Sequence, residues 1–290
     1  MKKIFLITLV FISAEFISQL NTPKYSNEFL NIGVGARSLA MSNSVVTSTQ
    51  GAMSGYWNPA NLSNTKNDIQ IGLMHAEYFA GIAKYDFGSI VKKIDDKSSF
   101  GFSFLRFGVD NIPNTTDLID AQGNLNYDRI TYFSAADMAF IGSYGKKISD
   151  YLSIGGSVKI INRTAGDFAQ AWGFGLDLST TYQKNNWGFA IVARDVTSTF
   201  NVWNYQLTDE MINVFNTTGN ELPQNGLELT LPRIILGINK KYQLEENVSL
   251  LLEFNSDLTT DGQRNTLISA NPFSLDPHLG AEVNLSLIHI

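Results

Sequence analysis

Side chains that commonly carry enzyme chemistry are scarce in this sequence. There is no cysteine, and the histidines His75, His278 and His289 lack the His-x3-His spacing of a metal site. No Gly-x-Ser-x-Gly elbow of a hydrolase occurs, and Gly33-x-Gly35 lacks the rest of the nucleotide-binding glycine pattern. The sequence therefore predicts a protein that is not an enzyme and that holds neither a metal nor a cofactor.

The stretch from Asn31 to Leu62 contains the other residues of chemical interest. They are Gly33, Gly35, Ala36, Arg37, Trp57, Asn58 and Pro59. Proline can neither donate a hydrogen bond to a strand ladder nor continue a helix, so we expect irregular backbone with short helical pieces here.

From Asp68 onward, apolar and polar residues alternate with the period of a β-strand. Ten strands are predicted, near 68–76, 82–94, 99–110, 137–148, 151–163, 170–183, 186–197, 230–242, 246–257 and 275–285. One strand places Ile154, Val158 and Ile160 on one face and Lys159 on the other. Asp177 and Glu253 occupy the same polar face of later strands.

Connections of two lengths separate these strands. Short polar turns alternate with longer loops near 111–136, 164–169, 198–229 and 258–274. Aromatic residues border the short turns at Phe100, Tyr151, Tyr182, Trp187 and Tyr242. Alternating turn lengths, an aromatic girdle and strands of about 9–11 residues are typical of membrane barrels.

A soluble β-sandwich is the alternative, because its strands also alternate. Two observations favour the barrel. The polar face is rich in glycine and serine, as a crowded lumen would be. Charged residues make up 17% of the chain, against roughly 25% in soluble proteins. We therefore predict an all-β, transmembrane, antiparallel β-barrel.

Three regions are predicted along the chain. Residues 1–20 read as a signal peptide, with Lys2 and Lys3 before an apolar run that is too short to span a membrane. Residues 21–66 are predicted to form a plug, because irregular backbone at membrane depth must be buried in protein or wet. Residues 67–290 form the predicted barrel.

Two pieces of the plug, Leu30–Met41 and Tyr56–Leu62, resemble the N-terminal signature of the PorV/PorQ family, within the wider FadL-like group. The Gly-x-Gly-Ala-Arg-x-Leu-Ala-Met string is the more specific piece, and the Asn-Pro-Ala turn is shared more widely. The resemblance implies a FadL-like barrel with an N-terminal plug in the cell outer membrane. Alternatively, these residues only cap one end of a barrel.

The resemblance also implies about fourteen strands, whereas the sequence shows about ten. The final residues, 285–290, look like translated adapter sequence. We therefore expect the closing strands of the barrel to be missing. A smaller, closed barrel of ten strands is the alternative.

Inside such a barrel, the guanidinium of Arg37 would need carboxylate or carbonyl partners. Asp177 and Glu253 are the candidate carboxylates, and Lys159 is a further candidate lumen residue. Alternatively, Arg37 points to solvent at the periplasmic mouth.

The resemblance implies a component of the type IX protein secretion system. Such a protein would accept the C-terminal signal domain of cargo and present it to the cell-surface attachment machinery. Its partners would be type IX components, cargo C-terminal domains and outer-membrane lipid. The net charge of −6 gives no sign of nucleic-acid binding.

The loops near 111–136 and 198–229 are the predicted binding regions for cargo. The second contains Trp203, Tyr205 and Phe215, which we expect to face water. The alternative function is a FadL-like passive channel for hydrophobic small molecules.

Overall fold

The computed structural model describes residues 26–116, 118 and 123–285, so the predicted signal peptide lies outside them. Residues 26–66, here called the N-terminal segment, contain the helices α1 (Ala36–Ala40) and α2 (Ser54–Trp57). Short 3-10 turns occur at Glu28–Asn31, Gly51–Met53 and Pro59–Asn64. The glycines and the proline therefore produce the irregular backbone that the sequence predicts.

An antiparallel sheet follows the N-terminal segment. Its strands are β1 (Ile69–Tyr78), β2 (Ala83–Asp95), β3 (Ser98–Asn114), β4 (Thr131–Lys147), β5 (Leu152–Ala165), β6 (Ala169–Lys184), β7 (Trp187–Arg194), β8 (Thr199–Tyr205), β9 (Gly226–Thr230), β10 (Arg233–Glu245), β11 (Val248–Thr259), β12 (Ile268–Ser269) and β13 (Ser274–Leu285). A 3-10 turn, Tyr127–Arg129, precedes β4, and the helix α3 (Asp209–Thr218) lies between β8 and β9.

The all-β, antiparallel class is confirmed, and all ten predicted strands are present. The largest shift is in β4, which begins at Thr131 instead of 137. The prediction that 198–229 and 258–274 are loops is wrong in part, because β8, β9 and β12 lie there.

A break in two neighbouring strands explains the missed β8 and β9. β7 and β8 both pair with β6, and they behave as one strand interrupted at residues 195–198. Asp195 and Ser198 there have φ angles of 55° and 56°, which a continuous strand excludes. β9 and β10 are interrupted at the same level by residues 231–232, which include Pro232.

The sheet begins at β1 and ends at β12, and within the described residues these two ends do not pair. Short turns after β2, β4, β6 and β10 define one end of the sheet, here called the short-turn end. The longer connections after β3, β8 and β11 define the opposite, long-loop end. In the described part of the chain, no helix has the length and apolar character that crossing a membrane requires.

One face of the sheet is lined by apolar side chains exposed on the outside, including Ile154, Val158 and Phe174. The other face packs against the N-terminal segment and forms the core. The buried core residues include Val34, Val45, Val46, Trp57 and Leu62 from the segment and Tyr85, Leu105 and Ile161 from the sheet.

Candidate functional site

The Asn-Pro-Ala turn of the N-terminal segment packs closely against the sheet, at a position here called the seat of the turn. Asn58 is fully buried, and its Nδ2 donates to the Val46 carbonyl (2.6 Å) and to Thr181 Oγ1 (2.8 Å). The Ala60 N–H donates to Ser179 Oγ at 2.9 Å. These hydrogen bonds satisfy buried polar groups that water cannot reach.

Glycines of the sheet make room for the same turn. A side chain at Gly145 would overlap the carbonyl of Pro59, and one at Gly155 would overlap the backbone of Pro59 and Ala60. These glycines of the inner face therefore have a steric role: they permit the backbone of the segment to approach the backbone of the sheet.

A buried arginine of β7 donates to two separate parts of the N-terminal segment. Arg194 donates from NH1 to the Leu30 carbonyl and from NH2 to the Tyr56 carbonyl, each at 3.2 Å. Its Cζ atom lies 5.1 Å from the ring centroid of Tyr56, within cation–π distance. Sequence reasoning missed Arg194, although its position after Ala190 and Val192 on one alternation of β7 was an available signal.

Trp57 forms a hydrogen bond within the N-terminal segment. Its indole Nε1 donates to the Val34 carbonyl at 2.9 Å. Gly33 and Gly35, with φ angles of 100° and 90°, allow the chain to turn between Val34 and α1. This turn directs Ala36 and Arg37 towards the short-turn end of the sheet.

The structure corrects the predicted partners of Arg37. Its NH2 lies 2.7 Å from Glu282 Oε2 of β13 and 3.0 Å from Ser48 Oγ. Arg37 forms no hydrogen bond with Asp177 or Glu253 among the described contacts. The side chain is 39% exposed, because the turn at the two glycines carries α1 to the rim and away from the lumen.

Lys159 and Asp177 do meet on the inner face, 2.8 Å apart from Nζ to Oδ1. Asp195, which the sequence did not indicate, lies 2.5 Å from the same Nζ, and its N–H donates to Asp177 at 2.8 Å. The three charges are buried and lie at the break between β7 and β8. The pairing therefore stabilises the turned backbone at Asp195.

Glu253 contacts a different part of the segment. It is 1% exposed, and its Oε1 accepts from the Thr47 N–H at 2.7 Å. Its backbone carbonyl accepts from Ser44 Oγ at 2.9 Å. Lys159, Asp177 and Glu253 thus all lie on the inner face as predicted by the alternation, but they contact different partners.

The structure also corrects the predicted loop residues Trp203 and Tyr205. Both lie in β8, and Trp203 points inward, where its Nε1 donates to Glu228 Oε2 at 2.6 Å. The guanidinium of Arg163 lies 5.1 Å from the Trp203 ring. Trp203 is therefore part of the sheet, and its side chain is not fully exposed to water.

Phe215 lies in α3, within the connection 206–225. The Thr208 hydroxyl accepts from the Met211 N–H at 3.3 Å and caps the helix, which Gly219 ends with a φ of 69°. No residue of α3 is buried. Its partly exposed apolar side chains, here called the apolar face of α3, are Met211, Ile212, Val214 and Phe215.

Two cavities flank the N-terminal segment. The larger, of about 1080 Å³, opens at the short-turn end beside Arg37, Gln183 and Asn239. The smaller, of about 250 Å³, is lined at the long-loop end by Glu28, Arg194, Arg233, Asp257 and Arg264, among others. Within the described ranges, no group of three or more His, Asp or Glu side chains could hold a metal ion.

Residues 18–217 match the family model described as "Type IX secretion system protein PorV". No curated protein gives a significant match to the sequence.

Among solved structures, a Pseudomonas aeruginosa FadL homologue is 12% identical, with a TM-score of 0.46 over 88% of this chain and 77% of that chain. The CymD monoaromatic hydrocarbon channel is 13% identical, with a TM-score of 0.45 over 88% and 76%. A TodX deltaS2S3 mutant, also a monoaromatic hydrocarbon channel, is 14% identical, with a TM-score of 0.46 over 89% and 80%.

Proposed function

Because the chain belongs to the PorV family of type IX secretion system proteins, we propose that it binds the C-terminal signal domain of secreted cargo in the outer membrane. It then passes the cargo to the cell-surface attachment machinery. The long-loop end faces the cell exterior in this proposal, and the short-turn end faces the periplasm, as in outer-membrane barrels generally.

The observation that supports cargo binding is the apolar face of α3. Four apolar side chains on a capped helix remain partly exposed, with none buried against the sheet. Apolar residues gathered on a loop above a rigid scaffold are a common form of protein-binding site. A cargo domain that covers Phe215 and its neighbours would bury this surface.

The N-terminal segment acts as a plug in this proposal. Arg194, Asn58 and the two glycines Gly145 and Gly155 fit it closely to the inner face, so it occupies the space through which a solute would pass. Cargo would therefore bind at the loops and would not cross this lumen.

A passive channel for hydrophobic small molecules is the alternative, and the cavities do not favour it. Glu28, Arg233, Asp257 and Arg264 line the cavity at the long-loop end. These charges pair with one another, but a hydrophobic ligand in this cavity would still remove water from polar groups without offering them a hydrogen bond, which is unfavourable.

Replacing three of the four residues of the apolar face of α3 by serine (Met211→Ser, Val214→Ser and Phe215→Ser together, here called the apolar-face variant) tests the proposal in cells. The matched control changes the other side of the helix by Asn213→Ser and Asn216→Ser. We expect the first variant to insert normally but to lose cargo display at the cell surface, and the control to keep it. Normal cargo display by a correctly inserted apolar-face variant would contradict the proposal.

The same cells distinguish the alternative function. A channel whose lid is α3 would change its uptake of a hydrophobic substrate in the apolar-face variant while cargo display stays normal. Loss of cargo display with unchanged uptake supports the secretion role.

A further inference from the structure

The outer face of the sheet carries a cluster of cations and aromatic rings at the short-turn end. The cluster, here called the lysine–aromatic patch, consists of Tyr151, Lys184, Trp187, Lys240 and Tyr242. These residues lie on or beside β5, β6, β7 and β10, which are neighbours in the sheet. Tyr151, Trp187 and Tyr242 are exposed there.

Each ammonium of the patch lies over a ring. Lys240 Nζ is 4.4 Å from the ring centroid of Trp187 and 5.7 Å from that of Tyr242. Lys184 Nζ is 5.1 Å from the ring centroid of Tyr151. Cross-strand pairing explains the first contact, because Lys240 and Trp187 are directly opposite each other in β10 and β7.

The charges at the long-loop end of the outer face are arranged differently. Lys84 Nζ lies 3.2 Å from Asp110, Arg106 lies 3.1 Å from the same carboxylate, and His75 lies 2.7 Å from Asp86. By contrast, Lys184 and Lys240 form no ion pair with any carboxylate of the described residues. The lysine–aromatic patch thus holds two oriented positive charges that no carboxylate of the described residues pairs with.

We propose that the lysine–aromatic patch binds the headgroups of anionic phospholipids. Exposed aromatic rings bordering the short turns mark the level of the lipid headgroups in an outer-membrane barrel. The phosphate of a lipid headgroup at that level is the anion nearest to the outward-facing ammonium groups of Lys184 and Lys240. The rings hold Lys184 and Lys240 in place, which lowers the entropy lost on binding.

This inference rests on the proposed outer-membrane location of the protein. The specific claim is a preference for phosphatidylglycerol over phosphatidylcholine, since both present a phosphate but only the first carries a net negative charge. Each lysine near a charged lipid surface favours association about fivefold at low salt.

Trp187 supplies a direct probe of lipid identity. Of the four tryptophans, Trp57 is buried and Trp203 points inward, whereas Trp172 and Trp187 are exposed on the outer face. The substitution Trp172→Phe therefore leaves Trp187 as the one exposed tryptophan. The protein is reconstituted into phosphatidylcholine vesicles that contain a small fraction of brominated phosphatidylglycerol or brominated phosphatidylcholine. Bromine quenches the fluorescence of a tryptophan that the labelled lipid contacts.

We expect brominated phosphatidylglycerol to quench Trp187 at least about fivefold more effectively than brominated phosphatidylcholine at low salt, which is the effect of a single lysine. Lys240→Gln should lower this ratio, and Lys184→Gln combined with Lys240→Gln should bring it close to one; high salt should lower it in the parent protein. Lys241→Gln is the matched control, since it removes the neighbouring charge on the opposite alternation of β10, and it should leave the ratio unchanged.

Two results would overturn the inference for different reasons. Equal quenching of Trp187 by both lipids, unaffected by Lys240→Gln, would exclude headgroup selection but leave the membrane location intact. No quenching by either lipid would contradict the membrane location itself and thus the premise of the inference.

Discussion

The N-terminal segment and the connection 206–225 both depart from the strand pattern, but they differ in how far they are buried against the sheet. The N-terminal segment contributes buried residues such as Val34 and Leu62. Within the sheet, Arg194 donates a hydrogen bond to the segment and Thr181 accepts one from it. α3 in the connection 206–225 has a cap at each end but no buried residue. The same local structure, short helices between turns, thus includes fully buried residues in one case and is only partly covered in the other.

This difference indicates where a partner would bind. A segment whose apolar residues are covered within its own chain gains stability from folding alone. A helix of ten residues whose apolar face is only partly covered gains less, because isolated helices of this length are marginal in water. An outside partner would supply the missing packing for α3, whereas the N-terminal segment needs none.

The largest expected effect comes from disturbing the seat of the Asn-Pro-Ala turn. Gly145→Val should destabilise the protein by about 3 kcal/mol, because the new side chain would overlap the Pro59 carbonyl and approach Leu62. Gly142→Val is the control in the same strand, since a side chain there meets only Phe100, at 3.9 Å. Denaturant unfolding in detergent would measure both, and equal stability of the two variants would show that the seat is not tight.

A somewhat smaller effect is expected at Arg194. Arg194→Met removes the donors to the Leu30 and Tyr56 carbonyls and should cost about 2 kcal/mol, because two buried acceptors lose a partner. Arg129→Met, at an exposed position, should change stability little. The unfolding free energy and the protease resistance of residues 26–66 would report it. Unchanged values for Arg194→Met would mean that the arginine does not hold the N-terminal segment.

The smallest effect is expected at the cap of α3. Thr208→Ala should destabilise the helix by about 1 kcal/mol, since Met211 N–H loses its acceptor. Hydrogen exchange should quicken within 209–218 and remain unchanged in the N-terminal segment, because α3 opens locally. Faster exchange in both regions would show that they are coupled and would remove the contrast between them.

The sequence was sufficient for most of the fold, because the alternation of apolar and polar residues follows from burial on one face. It predicted the inward positions of Lys159, Asp177 and Glu253 for that reason. It did not predict β8, since the positive φ angles at Asp195 and Ser198 interrupt the alternation and the strand beyond them reads as a loop.

The contact partners of the site residues were harder to predict than the face of the sheet on which each side chain lies. Glu282 of β13 becomes the partner of Arg37 because of the turn at Gly33 and Gly35, which alternation does not describe. Arg194 was not singled out, because the alternation of β7 gives the face of its side chain but not the two backbone carbonyls, far away in sequence, that its guanidinium reaches. Long-range contacts of this kind depend on how the segment is folded onto the sheet.

The affinity of the purified protein for an isolated cargo C-terminal signal domain tests the central claim most directly. The parent protein should bind the domain, and Phe215→Ser should weaken binding by at least about tenfold, the loss expected when a central buried aromatic contact is removed. Asn213→Ser, on the opposite side of α3, should bind as the parent does. Equal affinity of the parent protein and Phe215→Ser for the cargo domain would contradict the account.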